Sequence, residues 1–200
     1  MPITKGEQWG HPGDLPPGAP VATSDAEAAA LVVEGATTVP TIGIEGGDLA
    51  RTLGIRTPYR RDTPKQLLPI DALAVELDDG TRHIALAHVL AGNLRLGGAP
   101  VALMNAAFVG PRNIAPRAHP GDGKADIVRM ELDLGDRIQA WKRMRTGTHV
   151  PHPQITIRQR SDGVVELPRP QRIRVDGHRV GTSTTLRFHV IAGAIVVAAS

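Results

Sequence analysis

The stretch NAAFVGPRNIAPRAHPGDGKADIV, residues 105–128, decides how the chain is read. Val101 and Leu103 lead into it with the alternation of a strand. Gly110-Pro111 breaks that strand, and Ala115-Pro116 adds an extended step. Pro120-Gly121-Asp122-Gly123 then makes a turn before a second strand begins at Ala125. Asp122 lies beside two glycines, where backbone groups can approach a ligand with no Cβ in the way. A carboxylate next to exposed carbonyls suits a hard cation such as Mg²⁺. An Asp-Gly pair equally makes a plain hairpin turn.

On either side of this stretch the pattern is that of short strands. Residues 68–77 and 82–89 flank Asp78-Asp79-Gly80, a hairpin signal. Residues 99–108 and 125–132 follow, then 154–160, 164–167, 171–175, 184–191 and 194–198. Ile155 and Ile157, Ile173 and Val175, and Leu186, Phe188 and Val190 alternate cleanly. Leu134, Ile138 and Trp141 fall at i, i+4, i+7 and predict a single helix ending near Gly147. Trp141 and Phe188 read as core residues. Asp79, Asp122, Asp162 and Asp176 each precede a glycine and read as hairpin turns. Residues 66–200 are therefore expected to form a mainly antiparallel β-sandwich or barrel with one helix.

The N-terminal third reads differently. Residues 1–20 hold five prolines and four glycines and form an irregular arm. A short strand at 21–23 precedes Ser24, an N-cap with Glu27 completing a capping box, and a helix over 25–33 stopped by Gly35. The β-branched run 38–44 is a buried strand, and a second helix at 48–53 is stopped by Gly54. This is a minimal α/β unit with parallel strands. The junction Gly46-Gly47-Asp48 has the form of a phosphate cradle, since free helix N-terminal amides attract anions. It has no P-loop lysine, Glu45 and Asp48 would repel phosphate, and Asp48 as a simple helix cap explains the same residues. The segment 56–65, with Arg56, Arg60, Arg61 and Lys65, is a basic loop able to meet anionic headgroups.

Composition narrows the function classes. A chain of 200 residues with 41% hydrophobic residues supports one or two small domains with a core. With no cysteine, disulfides and thiolate metal sites are excluded. The longest apolar run, 190–199, is about half of what a membrane helix needs, and no secretory signal opens the chain. A soluble, cytoplasmic protein with at most peripheral membrane contact is expected. Net charge is +3 and aromatic residues make up 2%, so stacking platforms for nucleic acid are scarce. His149 and His152 are three apart, but Pro151 between them prevents one helical face from presenting both to a metal.

Several stretches, in colinear order from about residue 39 to 200, resemble the bacterial diacylglycerol kinase-like lipid kinases of the NAD kinase superfamily. Asn105, Gly110, Ile114-Ala115-Pro116-Arg117-Ala118 and Asp122-Gly123-Lys124-Ala125-Asp126-Ile127 are similar to the family's N-G-x-x-x-G-G-G, A-P-x-A and D-G-x-L-x-V segments. Gly147-Thr148-His149 to His152-Pro153 is similar to G-x-H-x-x-H-P, and Arg169-Pro170 with Val175-Asp176-Gly177 to R-P-L…V-D-G-E. Upstream, residues 47–54 resemble the N-D-x-A-R-x-L-G helix start.

The resemblance implies a C-terminal β-sandwich of the NAD kinase/diacylglycerol kinase type, 66–200, behind a truncated α/β segment, 1–65. It implies ATP between the two parts and Mg²⁺ on Asp122, helped by the carbonyls of His119 and Lys124. His178 stands at the position of the family's catalytic glutamate, and Gly46, Gly47 and Asp48 are the residues left for nucleotide contact. The chain departs from the family in three ways: it has no G-G-D-G-T loop, the G-G-G run is Gly110-Pro111-Arg112, and the glutamate is His178. Two functions follow as expectations. One is an ATP-dependent lipid kinase completed by a homo-oligomer or partner subunit, the isolated chain being a poor phosphotransferase. The other is a non-catalytic module that binds a lipid or other small amphiphile.

Overall fold

The computed structural model describes residues 8–55, 59–61, 63–94 and 97–199. Its frame is an 11-stranded sheet in the order β1-β4-β13-β12-β6-β7-β10-β11, with β3 and β5 joined at its flank. These are β1 (His11–Gly13), β4 (Lys65–Leu77), β13 (His178–Ala199), β12 (Asp162–Val175), β6 (His88–Asn93), β7 (Gly97–Met104), β10 (Ala125–Met130), β11 (Ile155–Arg160), β3 (Thr41–Ile44) with its partner β2 (Val21–Ala22), and β5 (Arg82–Ala85); β8 (Phe108–Val109) and β9 (Arg112–Asn113) pair in a separate hairpin. Within the C-terminal part the pairing is antiparallel throughout. The expected mainly β architecture is present, and the sheet curls around its own core.

That core comes from the period-2 alternation. Leu73, Val75 and Leu77 of β4, Val89 and Ala91 of β6, Ile173 and Val175 of β12, and Leu186 and Phe188 of β13 face one buried cluster. Burying each such side chain contributes about 1.5–3 kcal/mol. Two further clusters lie on other faces of the strands. One packs the N-terminal α/β unit onto Ile70, Ala72, Ile195 and Val197. The other packs the excursion 105–118 and helix α3 (Leu134–Arg143) onto Ala102, Met104, Val128 and Met130.

The N-terminal unit holds β2 (Val21–Ala22), α1 (Asp25–Ala29), β3 and α2 (Gly47–Thr52). Its strands β2 and β3 are parallel, as expected, and β3 also runs parallel to β13, so the unit grows from the same sheet. Helix α1 ends at Ala29 rather than near residue 33. Ser24 caps it through Glu27 N, but the Glu27 carboxylate accepts from Thr23 N, one residue earlier than a capping box requires.

Several elements differ from the sequence expectation for identifiable reasons. The strand expected over 82–89 is broken at Leu86-Ala87, because the amides of Leu86, Ala87 and His88 turn to donate to the Asp176 carboxylate. The separate strands expected at 184–191 and 194–198 are one strand, β13, with a register shift between Ile191 and Ile195. There the Gly193 amide donates to Asp71 instead of to the ladder. Helix α3 is present, but Leu134 is 75% and Ile138 52% exposed, and Arg137 and Ala140 face inward. Trp141 is half-buried, with the Arg112 guanidinium 3.6 Å from its ring centroid. Lys65 is not part of a basic surface: it is buried, and its ammonium donates to the carbonyls of Arg60 and Thr63. Arg60 and Arg61 are exposed, and Arg56 lies outside the described residues. Asp162-Gly163 opens β12 rather than forming a hairpin turn, while Asp79-Gly80 and Asp176-Gly177 are turns between paired strands.

Candidate functional site: two aspartate knots and an interdomain cleft

The β12–β13 hairpin turns on Asp176 and Gly177, with φ of 45° and 85°, as a two-residue turn of the primed type demands. Among the described residues Asp176 is the one non-glycine with positive φ. Its carboxylate accepts from three successive amides, Leu86 N at 2.8 Å, Ala87 N at 3.0 Å and His88 N at 2.9 Å. Its own amide donates to the His88 carbonyl at 3.0 Å. Burial pushes the Asp176 carboxyl up, and the amides and His88 pull the other way.

His88 links this turn to the N-terminal unit. Its Nε2 donates to Asp48 Oδ2 at 3.0 Å, at the start of α2. Asp25 completes the group: Oδ2 accepts from Asp48 N at 2.6 Å and Oδ1 from Leu49 N at 3.0 Å. Burial raises Asp25 to about 6. Burial alone would lower His88, but the bond to Asp48 and the charges of Asp176, Asp48 and Asp25 outweigh it and raise it. One imidazole, bonded to Asp48, thus lies in the field of three carboxylates, and its Nδ1 is buried without a hydrogen-bond partner among the described residues.

A cleft of about 400 Å³ opens beside this knot, between α1 and the β12–β13 hairpin. Its walls are apolar at Ala26, Ala29, Val32, Val175 and Val180, and His83, Asp176, His178 and Arg82, the last paired with Glu76, supply polar groups. His178 is exposed at the first position of β13. The residues expected to hold nucleotide are placed one wall away. The α2 amides that would cradle phosphate are bonded to Asp25, and a Cβ on Gly47 would collide with that carboxylate. A Cβ on Gly46 would collide with the Thr23 carbonyl. The glycines here admit protein groups.

The second knot fixes the turn from which the sequence reading began. Asp71, buried in β4, accepts from Gly123 N at 2.7 Å and Gly193 N at 2.8 Å, and its amide donates to Pro120 O. Burial raises its carboxyl, against the pull of those two amides. Asn105 Nδ2 donates to the carbonyls of Asp71 and Leu86, tying the excursion to β4. Asp122 itself is half-buried and closes its own turn, with Oδ1 accepting from Lys124 N at 3.0 Å and its amide 3.4 Å from the His119 carbonyl. Among the described residues, none donates a hydrogen bond to Oδ2 of Asp122. Among the described residues no group of three or more His, Asp or Glu side chains is arranged to hold a metal ion. What the turn can offer Mg²⁺ is one carboxylate oxygen and backbone carbonyls, with water completing the shell. His149 and His152 do not converge. His149 is buried against the Ile114 carbonyl, and His152 leans toward Asp136 at 3.7 Å.

Sequence reasoning missed Asp25, Asp71 and His88. The available signal for Asp25 is an acid directly after a strand and the N-cap Ser24, at the start of a helix.

The comparisons agree with this architecture. The family model for the YegS C-terminal NAD kinase beta sandwich-like domain matches residues 73–199. Three solved structures of proteins named as diacylglycerol kinases, from Bacillus anthracis str. Sterne, share the fold. One is 12% identical with a TM-score of 0.61, covering 82% of this chain and 71% of its own. The second is 15% identical with a TM-score of 0.61, covering 82% and 70%. The third is 16% identical with a TM-score of 0.59, covering 82% and 69%. No curated protein matches by sequence. Among the described residues no helix is long and apolar enough to cross a membrane.

Proposed function

Because this chain belongs to the family of the YegS C-terminal NAD kinase beta sandwich-like domain, we propose that it is a diacylglycerol kinase-like protein that binds a lipid or other small amphiphile and does not transfer phosphate from ATP by itself. The observation that carries this reading is the chemistry of the interdomain cleft. Its walls are mostly apolar, and the α2 N-terminus one wall away is already filled by Asp25. A polyphosphate approaching α2 would meet Asp25, Asp48 and Asp176. Each like-charged pair at about 5 Å costs about 3 kcal/mol at an effective dielectric of 20, and among the described residues no lysine or arginine is bonded to these three aspartates to offset it.

The chain's own residues do three things in this cleft. The hairpin, held open by Asp176 across Leu86 to His88, presents Val175, His178 and Val180 to an apolar ligand. The α1 alanines close the opposite wall. His178 offers an imidazole at the mouth that can donate to or accept from a hydroxyl.

A phosphotransferase reading is favoured by one observation: Asp176 and His178 line the same cleft. In that reading a partner subunit or second copy supplies the phosphate contacts. Mg²⁺ would sit on Asp122 with the carbonyls of His119 and Lys124, and would neutralise phosphate charge.

Calorimetry with ATP·Mg²⁺ on the purified chain separates the two. The proposal expects no binding tighter than about 10 µM, about −7 kcal/mol. Tighter binding would overturn it.

A further inference from the structure

We propose that the chain carries a second ligand site, a cleft at the β11 edge of the sheet that takes an apolar molecule bearing a cationic amine. The cleft measures about 820 Å³ and shares no residue with the interdomain cleft. It lies within the size range of small-molecule sites.

Its construction follows from the register of the edge strand. Ile155, Ile157 and Gln159 of β11 stand opposite Met130, Val128 and Asp126 of β10, so all six point to one face. Ile155 and Ile157 make the floor. Ala115-Pro116 from the excursion and Val150-Pro151 from the segment after α3 make the walls. These are two of the segments singled out in the sequence, and neither is used by the interdomain cleft.

The polar end of the cleft is Asp126. It is 2% exposed and lines the cleft. Its carboxylate accepts from the side chain of Gln159, the residue opposite it in the ladder, and among the described residues no cation is paired with it. The charge acting on it is another carboxylate, Asp122. A buried acceptor beside an apolar trough, with a like charge behind it, is complementary to a donor that carries positive charge. The cation on the cleft, Arg117, is exposed at the rim, where water and salt screen it. His152, also on the rim, is engaged with Asp136. An anion would therefore gain a solvated partner at the rim and meet an uncompensated carboxylate inside. An alkyl or aryl amine gains the buried one.

Titration calorimetry of the full chain with octylamine, octanol and octanoate tests this at matched chain length. Octylamine is expected to bind at least tenfold more tightly than octanoate and more tightly than octanol. Asp126→Asn should bring octylamine within about twofold of octanol. Ile157→Trp, which fills the trough, should weaken all three probes while leaving the interdomain cleft intact. Amide shifts at Val175 to Val180 report occupancy of the interdomain cleft separately from shifts at Ile157 and Gln159, so a failure here is separable from a failure of the proposed function. If Asp126→Asn does not fold, amide chemical shifts in the wild type decide: octylamine should perturb Ile157 and Gln159, whatever it does at Val175 to Val180. Octanoate binding as tightly as octylamine, a preference that survives Asp126→Asn, binding indifferent to Ile157→Trp, or shifts confined to the β12–β13 hairpin would each overturn the proposal.

Discussion

Asp176 and Asp122 stand in the same dipeptide, each before a glycine at a turn, yet the fold uses them in opposite ways. Asp176 turns inward across three amides and joins the hairpin to the break between β5 and β6. Among the described residues Asp122 bonds only within its own turn, and the long-range anchoring of that turn falls to Asp71. An Asp-Gly turn whose acid is spent on the backbone is structural. One that is anchored by another residue leaves its carboxylate available to a ligand.

The largest break in this comparison should come from Asp176→Ala. It orphans three amides that the charged acceptor satisfies, and hydrogen bonds to charged groups contribute about 1.5–3 kcal/mol each. Allowing for partial rearrangement, a loss of about 3–5 kcal/mol is expected, a fall of roughly 10 °C in Tm for a chain of this size. Asp176→Asn, which tolerates positive φ and keeps one acceptor oxygen, should lose less. Thermal unfolding followed by circular dichroism would show the order.

The knot around His88 should also set a pH dependence. Asp25 titrates near 6 in the fold against an ordinary 3.8, so between about pH 4 and 6 the folded state holds the extra proton and stability falls as pH rises. His88 is raised, so its contribution is complete below its ordinary 6.5 and is lost as pH rises through its folded value. Both signs agree: this knot contributes more stability at pH 5 than at pH 8. Asp25→Asn should remove up to about 3 kcal/mol of the difference between pH 4 and 7. Urea midpoints across that range measure it, and an unchanged slope would mean that Asp25 does not carry the dependence.

The smallest effect belongs to Asp122→Asn. Its stability in the absence of metal should move by less than about 1 kcal/mol, because the Asn side chain can still accept from Lys124 N. If the turn holds Mg²⁺, the substitution abolishes a Mg²⁺-dependent rise in Tm. Wild type and variant responding alike to Mg²⁺ would make Asp122 a turn residue only.

The strands, the Asp79 and Asp176 turns and the parallel pair β2–β3 were legible, because period-2 alternation and Asp-Gly turn chemistry are local signals. The colinear segments from residue 39 onward carried the family. What was not legible has one physical cause: the knots are assembled from distant positions. Asp25, Asp48, His88 and Asp176 each look like a cap, a strand residue or a turn until the fold brings them together. Asp71 reads as one polar residue in an apolar strand, and only its bonds to Gly123 and Gly193 explain its burial. The face of α3 was misjudged because Arg137, buried with its guanidinium on the Leu132 carbonyl, takes the place that Leu134 and Ile138 were expected to fill.

The central claim is that this lipid kinase-type sandwich binds without transferring phosphate on its own. Radiolabelled phosphate transfer from ATP·Mg²⁺ to a panel of lipids, comparing wild type with His178→Ala and His178→Glu, tests it most directly. No transfer by wild type or by His178→Ala is the predicted result, and activity gained only in His178→Glu would locate the silencing in the lost carboxylate at the hairpin. Transfer by the wild-type chain that disappears in His178→Ala would contradict the claim.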